Sequence, residues 1–301
     1  MVPDLNLDAE GQESGGPAQL MWTDECGVHD RQGADRTRGH AKRGERIQRP
    51  RYFGKGGGER WGVVGLIALR RRSQPKAREQ VRAEGEDDEE ERNHGGGRRN
   101  RRRHDQREGQ VAEENQDIWK QRRKVVDTLE RWYDLDVAVT VSRGTFNRER
   151  FIGSFVEGDE VSRVMRGYIP SRGQQRRHGH GAGGGSKPES FLVLDNAKIH
   201  KGNAVADAVR QEMKGTEIVF VPPYSPDLNG PIEASFRQLK ALIRRRFWAT
   251  VAAAGVADGP GRRLTDLEVA QAYRDAVQIR SVLSWAMDAG YVRGWHGLVQ
   301  P

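Results

Sequence analysis

Carboxylates set at the ends of buried strands and in the first turn of a helix can hold metal ions, and the stretch from Phe191 to Arg246 has that form. Phe191-Leu192-Val193-Leu194 is apolar on both faces, which predicts a central strand. Asp195 stands where that strand leaves the sheet, followed by Asn196 and, four residues further on, His200. A second strand, expected over 216–221, leads into Pro222-Pro223-Tyr224-Ser225-Pro226-Asp227-Leu228-Asn229-Gly230-Pro231-Ile232-Glu233, whose prolines stiffen the backbone. Pro231 suits a first helical position, and Ile232, Phe236, Leu239 and Ile243 recur on one buried stripe. Glu233 falls off that stripe, in the first turn, ahead of Arg237, Lys240 and Arg244 on the same polar face. Taken alone, a first-turn glutamate is more simply read as serving the helix dipole or a cap. Earlier in the chain, Leu20-Met21-Trp22 is an apolar run that stops at Asp24-Glu25-Cys26-Gly27, a strand end presenting acids to solvent.

The elements that must carry these residues can be read from the apolar pattern. Strands are expected at 19–24, 60–69 (the run WGVVGLIAL from Trp61), 135–142, 190–195 and 216–221. Helices are expected at 147–157, 203–214 and 231–247, with a further solvated helix from Trp119 to Tyr133. From Leu264 to Tyr291 the pattern predicts one capped helix, with Thr265 and Glu268 as a capping box, read as a helical tail over 251–301. Residues 1–18 read as a disordered leader, and the stretches 70–118 and 171–187 as low-complexity insertions with too few apolar residues to offset ordering. The basic block Arg98 to Arg103 suggests a nucleic-acid-binding tail, although an insertion without structural role is the plainer reading. Gly54 and Gly56 to Gly58 lack the Lys-Ser/Thr of a phosphate loop, and His178 and His180 have no carboxylate or cysteine beside them to complete a metal site.

Composition narrows the class of partner. Lys and Arg exceed Asp and Glu by 51 to 43, and a chain of net charge +8 favours a polyanion such as nucleic acid. The single cysteine, Cys26, excludes an intramolecular disulfide and a cysteine-based zinc site, which fits a reducing interior compartment. No apolar run approaches the roughly 20 residues that span a bilayer, so no membrane partner is expected.

Asp195-Asn196-x-x-x-His200, then Pro-Pro-Tyr-Ser-Pro-Asp-x-Asn and Pro-Ile-Glu, resembles the second and third acidic motifs of the mariner-type DDE transposases and their bacterial insertion-sequence relatives. Asp24-Glu25-Cys26-Gly27 resembles the first, and Thr145-Phe146-Asn147 also looks like the corresponding stretch of that family. The resemblance implies an α/β fold, an RNase H-like mixed five-stranded sheet flanked by helices, spanning 19–250 with the two insertions. It implies a DNA endonuclease or strand transferase acting as a homodimer in a DNA complex, nuclear in a eukaryote and otherwise cytoplasmic. Asp24, Asp195 and Glu233 would be the catalytic carboxylates, holding two Mg²⁺ or Mn²⁺ ions. Glu25 would be a neighbour of the site, while Asn196 and His200 would either contact metal or DNA or fix the strand-to-helix turn. Two departures bear on activity: Gly230 is an extra residue before Pro231, expected to take over the N-cap, and the helix-turn-helix region that recognises element ends is not expected in this chain. A degenerate, inactive relic is therefore one form of this reading. The competing reading is a non-catalytic nucleic-acid-binding protein that keeps the fold.

Overall fold

The computed structural model describes residues 19–29, 60–72, 75–76, 105–156, 161, 190–212, 216–223, 225–253 and 264–292. The leader at 1–18 and the stretch 171–187 lie outside them. Five strands form one sheet: β1 (Gln19–His29), β2 (Arg60–Arg71), β3 (Tyr133–Arg143), β4 (Ser190–Leu194) and β5 (Thr216–Phe220). Their order is β3-β2-β1-β4-β5, with β1, β2 and β3 antiparallel and β4 and β5 continuing parallel to β1. The parallel pair β4 and β5 is joined through a helix over Asn203–Glu212, as such a crossover requires. This is the mixed, RNase H-like sheet expected.

Each strand follows from its residues. The unbroken apolar run of β2 is buried on both faces, which its place between β1 and β3 demands. In β3 the odd-numbered Leu135, Val137, Val139 and Val141 join one core, while Ala138 joins the other, as a period of two dictates.

Helices cover both faces. Helices α2 (Arg148–Val156) and α3 (Asn203–Glu212) bury Phe151, Val205 and Val209 against Met21, Val64, Leu66 and Leu192. On the opposite face α4 (Gly230–Ala253), α5 (Asp266–Ala276) and α6 (Ile279–Asp288) set Ile232, Phe236, Tyr273 and Leu283 in one core with Leu20, Trp22, Ile67 and Val193. Helix α1 (Asp105–Trp132) adds Val126 and Leu129 to that core. It is tied to α6 by Arg122, which donates to the Ser284 carbonyl at 3.0 Å and to Asp288 at 2.6 Å, and by Arg280, which reaches Asp127 and Glu130.

Two expectations are corrected. Helix α1 begins at Asp105, inside the interval 70–118 expected to be disordered; its Gln, Glu and Arg content suits a helix even without an apolar stripe, and the docked half near Arg122 gives it an anchor. The C-terminal region is two helices, broken at Val277 and Gln278, whose backbones are extended. The break lets Val277 join the core. The Thr265–Glu268 capping box forms as expected, Thr265 Oγ1 accepting from the Glu268 N–H at 3.2 Å. Among the described residues no helix is long and apolar enough to cross a membrane.

Candidate metal centre

Strand pairing sets the site. β1 pairs with β4 only from Gln19 to Trp22, whereas its pairing with β2 runs on to His29. Asp24 is therefore inside β1, two residues past the last one paired with β4, and not at the strand's end as the sequence suggested. The antiparallel partner holds the strand extended while the end of β4 opens a notch on the other side. Carrying the Trp22–Val193 register two residues further brings Asp24 level with Asp195, where the chain leaves β4. Because side chains alternate, Asp24 shares the α4 face with Trp22, and Glu25 shares the α2–α3 face with Met21.

The two acids meet different surroundings. Asp24 is 6% exposed; its Oδ1 accepts the Glu25 N–H at 2.8 Å and its Oδ2 accepts Asn229 Nδ2 at 3.2 Å. Burial, with the negative charges of Glu25 and Asp195, raises its carboxyl well above the usual range, against the lowering effect of the Glu25 N–H and of His200. Asp195 is half-buried, and its Oδ1 accepts both the Ala197 N–H at 2.8 Å and His200 Nδ1 at 2.5 Å. Burial pushes Asp195 up, but these bonds and the charges of His200 and Lys201 outweigh it and hold the carboxyl below its ordinary value.

His200 joins the two faces. It is fully buried, its ring centroid 4.4 Å from that of Phe151, with Nε2 2.7 Å from Glu25 Oε2 and Nδ1 on Asp195. Burial alone would lower its pKa; the two carboxylate bonds raise it to about 10. The ring is thus an imidazolium donating through both nitrogens. The turn that presents it is pinned by Asn196, whose amide donates to the Val221 carbonyl beside the end of β5, and by the Val221 N–H on the Leu194 carbonyl at 2.8 Å. Asn196 accordingly fixes the strand-to-helix turn, and Glu25 is the second partner of His200.

Asp24, Asp195 and His200 each offer a ligand atom, all within 4.8 Å of one another. Glu233 is not in this group. It is exposed in the first turn of α4 and has no hydrogen-bond or ion-pair partner among the described residues. The cap expected at Gly230 is absent as well: the 3-10 turn Pro226–Asn229 runs straight into α4, and Gly230 already has helical angles, φ −47 and ψ −47. Glu233 nevertheless lies near enough to β1 for its charge, like that of Asp24, to act on the Cys26 thiol. Burial pushes Cys26 up to about 12, Lys240 opposes this, and Asp24, Glu233 and Glu25 add to it.

The donor set suits a hard divalent cation. Two carboxylates converge, and Asn229, which donates to Asp24, keeps a buried Oδ1 with no hydrogen-bond partner among the described residues. His200, while both its nitrogens carry protons, balances the acids instead of ligating. Reading the sequence singled out Asp195 and Asp24 but gave Asn229 no role, although it lies within the Pro-rich stretch; its contact with Asp24 spans 205 positions and has no local signature.

A five-stranded RNase H-like sheet that sets Asp24 on β1 level with Asp195 just past the end of β4 is an α/β fold carrying a candidate metal-binding cluster. The model of the DDE superfamily endonuclease family matches residues 96–253, just over half the chain, and the chain belongs to that family. The match takes in Asp195, His200, Asn229 and Glu233; β1 with Asp24, and α5 and α6, lie outside it. No curated protein and no solved structure matches the chain.

Proposed function

We propose that the protein is a divalent-metal-dependent DNA endonuclease or strand transferase of the mariner transposase type. The observation that carries this reading is the convergence of Asp24 and Asp195 at one level of the sheet in a chain of this family. Asp24 and Asp195 would hold Mg²⁺ or Mn²⁺, with Glu233 as the third carboxylate of the set, its side chain free to turn toward them. Two such ions would activate an attacking oxygen and stabilise a leaving oxygen on one phosphate. The chain's own residues prepare that site. His200 offsets the charge of Asp195 and Glu25 and keeps Asp195 ionised, burial under α4 removes Asp24 from competing water, and Arg237 is exposed one turn beyond Glu233 to meet a phosphate. DNA is the partner, engaged as a homodimer, in the nucleus of a eukaryote or otherwise in the cytoplasm.

The position of Glu233 outside the acid cluster favours a second reading, a nucleic-acid-binding protein that keeps the fold without cutting. Purified protein with Mg²⁺ or Mn²⁺ and a supercoiled plasmid separates the two. Nicking or joining that Asp195→Asn abolishes is the expected result; retained DNA binding without any metal-dependent cleavage would sink the catalytic reading. Salt-sensitive affinity alone decides nothing in so basic a chain.

A further inference from the structure

Among the described residues, Asp24 is held by one side chain from outside its own strand. Asn229 closes the 3-10 turn, is 2% exposed, and donates Nδ2 to Asp24 Oδ2 at 3.2 Å. Its Oδ1 is buried and accepts no hydrogen bond among the described residues. A buried, half-satisfied amide costs stability, and an apolar side chain of the same volume would avoid that cost. Packing alone therefore does not account for an asparagine here.

The turn is fixed from behind by the C-terminal helices. Tyr291 Oη donates to the Leu228 carbonyl at 2.7 Å, and the Tyr291 ring stands edge-on to Trp22, with centroids 5.2 Å apart. Trp22 lies two residues before Asp24 on the same face of β1, so one tyrosine touches both the strand carrying Asp24 and the turn carrying Asn229. Gly230 packs closely on α6; a Cβ there would sit 3.1 Å from that of Ala289. These supports come from residues beyond the part of the chain that the family model matches.

We propose that Asn229 is a positioning residue for Asp24, orienting its carboxylate toward a divalent cation, and that Tyr291 sets Asn229 in place. This rests on the metal-dependent reading above. The test uses the full chain and Mn²⁺ alone as probe, titrated by calorimetry, with the thermal midpoint followed by circular dichroism in chelator. Asn229→Leu should keep or raise the metal-free midpoint while weakening Mn²⁺ binding by about 10- to 100-fold, the usual cost of losing a partner that orients a ligand. Tyr291→Phe should weaken it by a smaller factor, and Asp24→Asn should remove it. A lower midpoint with unchanged affinity in Asn229→Leu would mean a structural role and overturn the proposal. Should Asn229→Leu not fold, Tyr291→Phe decides: weaker Mn²⁺ binding supports the proposal, and wild-type affinity overturns it. If Asp24→Asn itself binds Mn²⁺ like the wild type, the metal reading fails. If Asp24→Asn loses the ion and Asn229→Leu does not, only the role of Asn229 falls.

Discussion

Asp24 and Asp195 stand level on neighbouring strands, yet the two corners of the sheet treat them in opposite ways. Under α4, Asp24 is buried among apolar groups, a backbone N–H and a neutral amide, and its carboxyl is driven upward. At the end of β4, Asp195 is half open to water and bonded to a buried imidazolium, and its carboxyl is held down. Paired acids whose surroundings push their pKa values apart divide the protonation states between them. Without metal, the Asp24 corner thus holds its proton to higher pH than the Asp195 corner does. His200 is the cause of the difference on the Asp195 side, which makes it the first residue to change.

His200→Ala should have the largest effect on stability. Removing the ring takes two charge-assisted hydrogen bonds from Glu25 and Asp195, which stay partly open to water, and each such bond typically contributes about 1.5–3 kcal/mol. Denaturant unfolding in chelator measures it; a loss below about 1 kcal/mol, the level of an exposed pair, would show that the buried ion pair is not formed. The same variant tests the charge state. A histidine raised from 6.5 to about 10 contributes stability that is fully present below pH 6.5 and is lost as the pH climbs through about 10. Asp24, also raised, loses stability in the same direction from lower pH. The wild type should therefore weaken steadily from pH 6.5 to 10, and His200→Ala should flatten that slope. An equal slope in both proteins would place the proton elsewhere and erase the contrast between the two corners.

The next effect probes the Asp24 corner. Gly65 pairs with Asp24 across β1 and β2, and a Cβ there would lie 2.3 Å from the hydroxyl of the buried Tyr273. That hydroxyl also meets Ser235 at 3.3 Å, in the second turn of α4. Gly65→Ala should force Tyr273 away and cost about 1–3 kcal/mol, as overpacking generally does. Because Tyr273 links β2 to α4, the variant should also disturb the seat of Asn229 and Glu233, visible as weaker Mn²⁺ binding. Gly62→Ala is the control: its Cβ would strike Phe146 on the opposite side of the sheet, and it should lower stability without touching the Asp24 corner.

How much of this could be read in the sequence differs between the corners. The apolar runs of β2 and β4 and the alternation of β3 disclose their strands, and the stripe Ile232, Phe236, Leu239, Ile243 correctly leaves Glu233 on the outer face of α4. The extension of β1 past Asp24 was not legible, because Asp24, Glu25 and Gly27 are poor strand residues held extended by their pairing with β2. Nor was the role of His200. Its spacing from Asp195 shows only that both follow one strand, and its second partner, Glu25, is 175 positions away. The break at Val277 was hidden for the same kind of reason: an apolar residue on a helical period gives no sign that its core contact will be made from extended backbone.

The smallest expected effect addresses where Glu233 lies relative to Asp24. Cys26 is between them in electrostatic terms: its thiol is pushed up to about 12 by burial and by the charges of Asp24 and Glu233, and drawn down by Lys240. Only the thiolate is alkylated. Neutralising Glu233 should therefore raise the thiolate fraction and speed reaction of Cys26 with iodoacetamide, and neutralising Lys240 should slow it. Each change should stay within about tenfold, one pKa unit being a tenfold change in ionisation. Since Cys26 is the single cysteine, its alkylation can be followed by mass alone. Opposite shifts in Glu233→Gln and Lys240→Gln would put the first turn of α4 over the Asp24 corner in solution. Equal rates in both would mean that Glu233 is too far from β1 to join the acids there, leaving Asp24 and Asp195 as the carboxylates of the site.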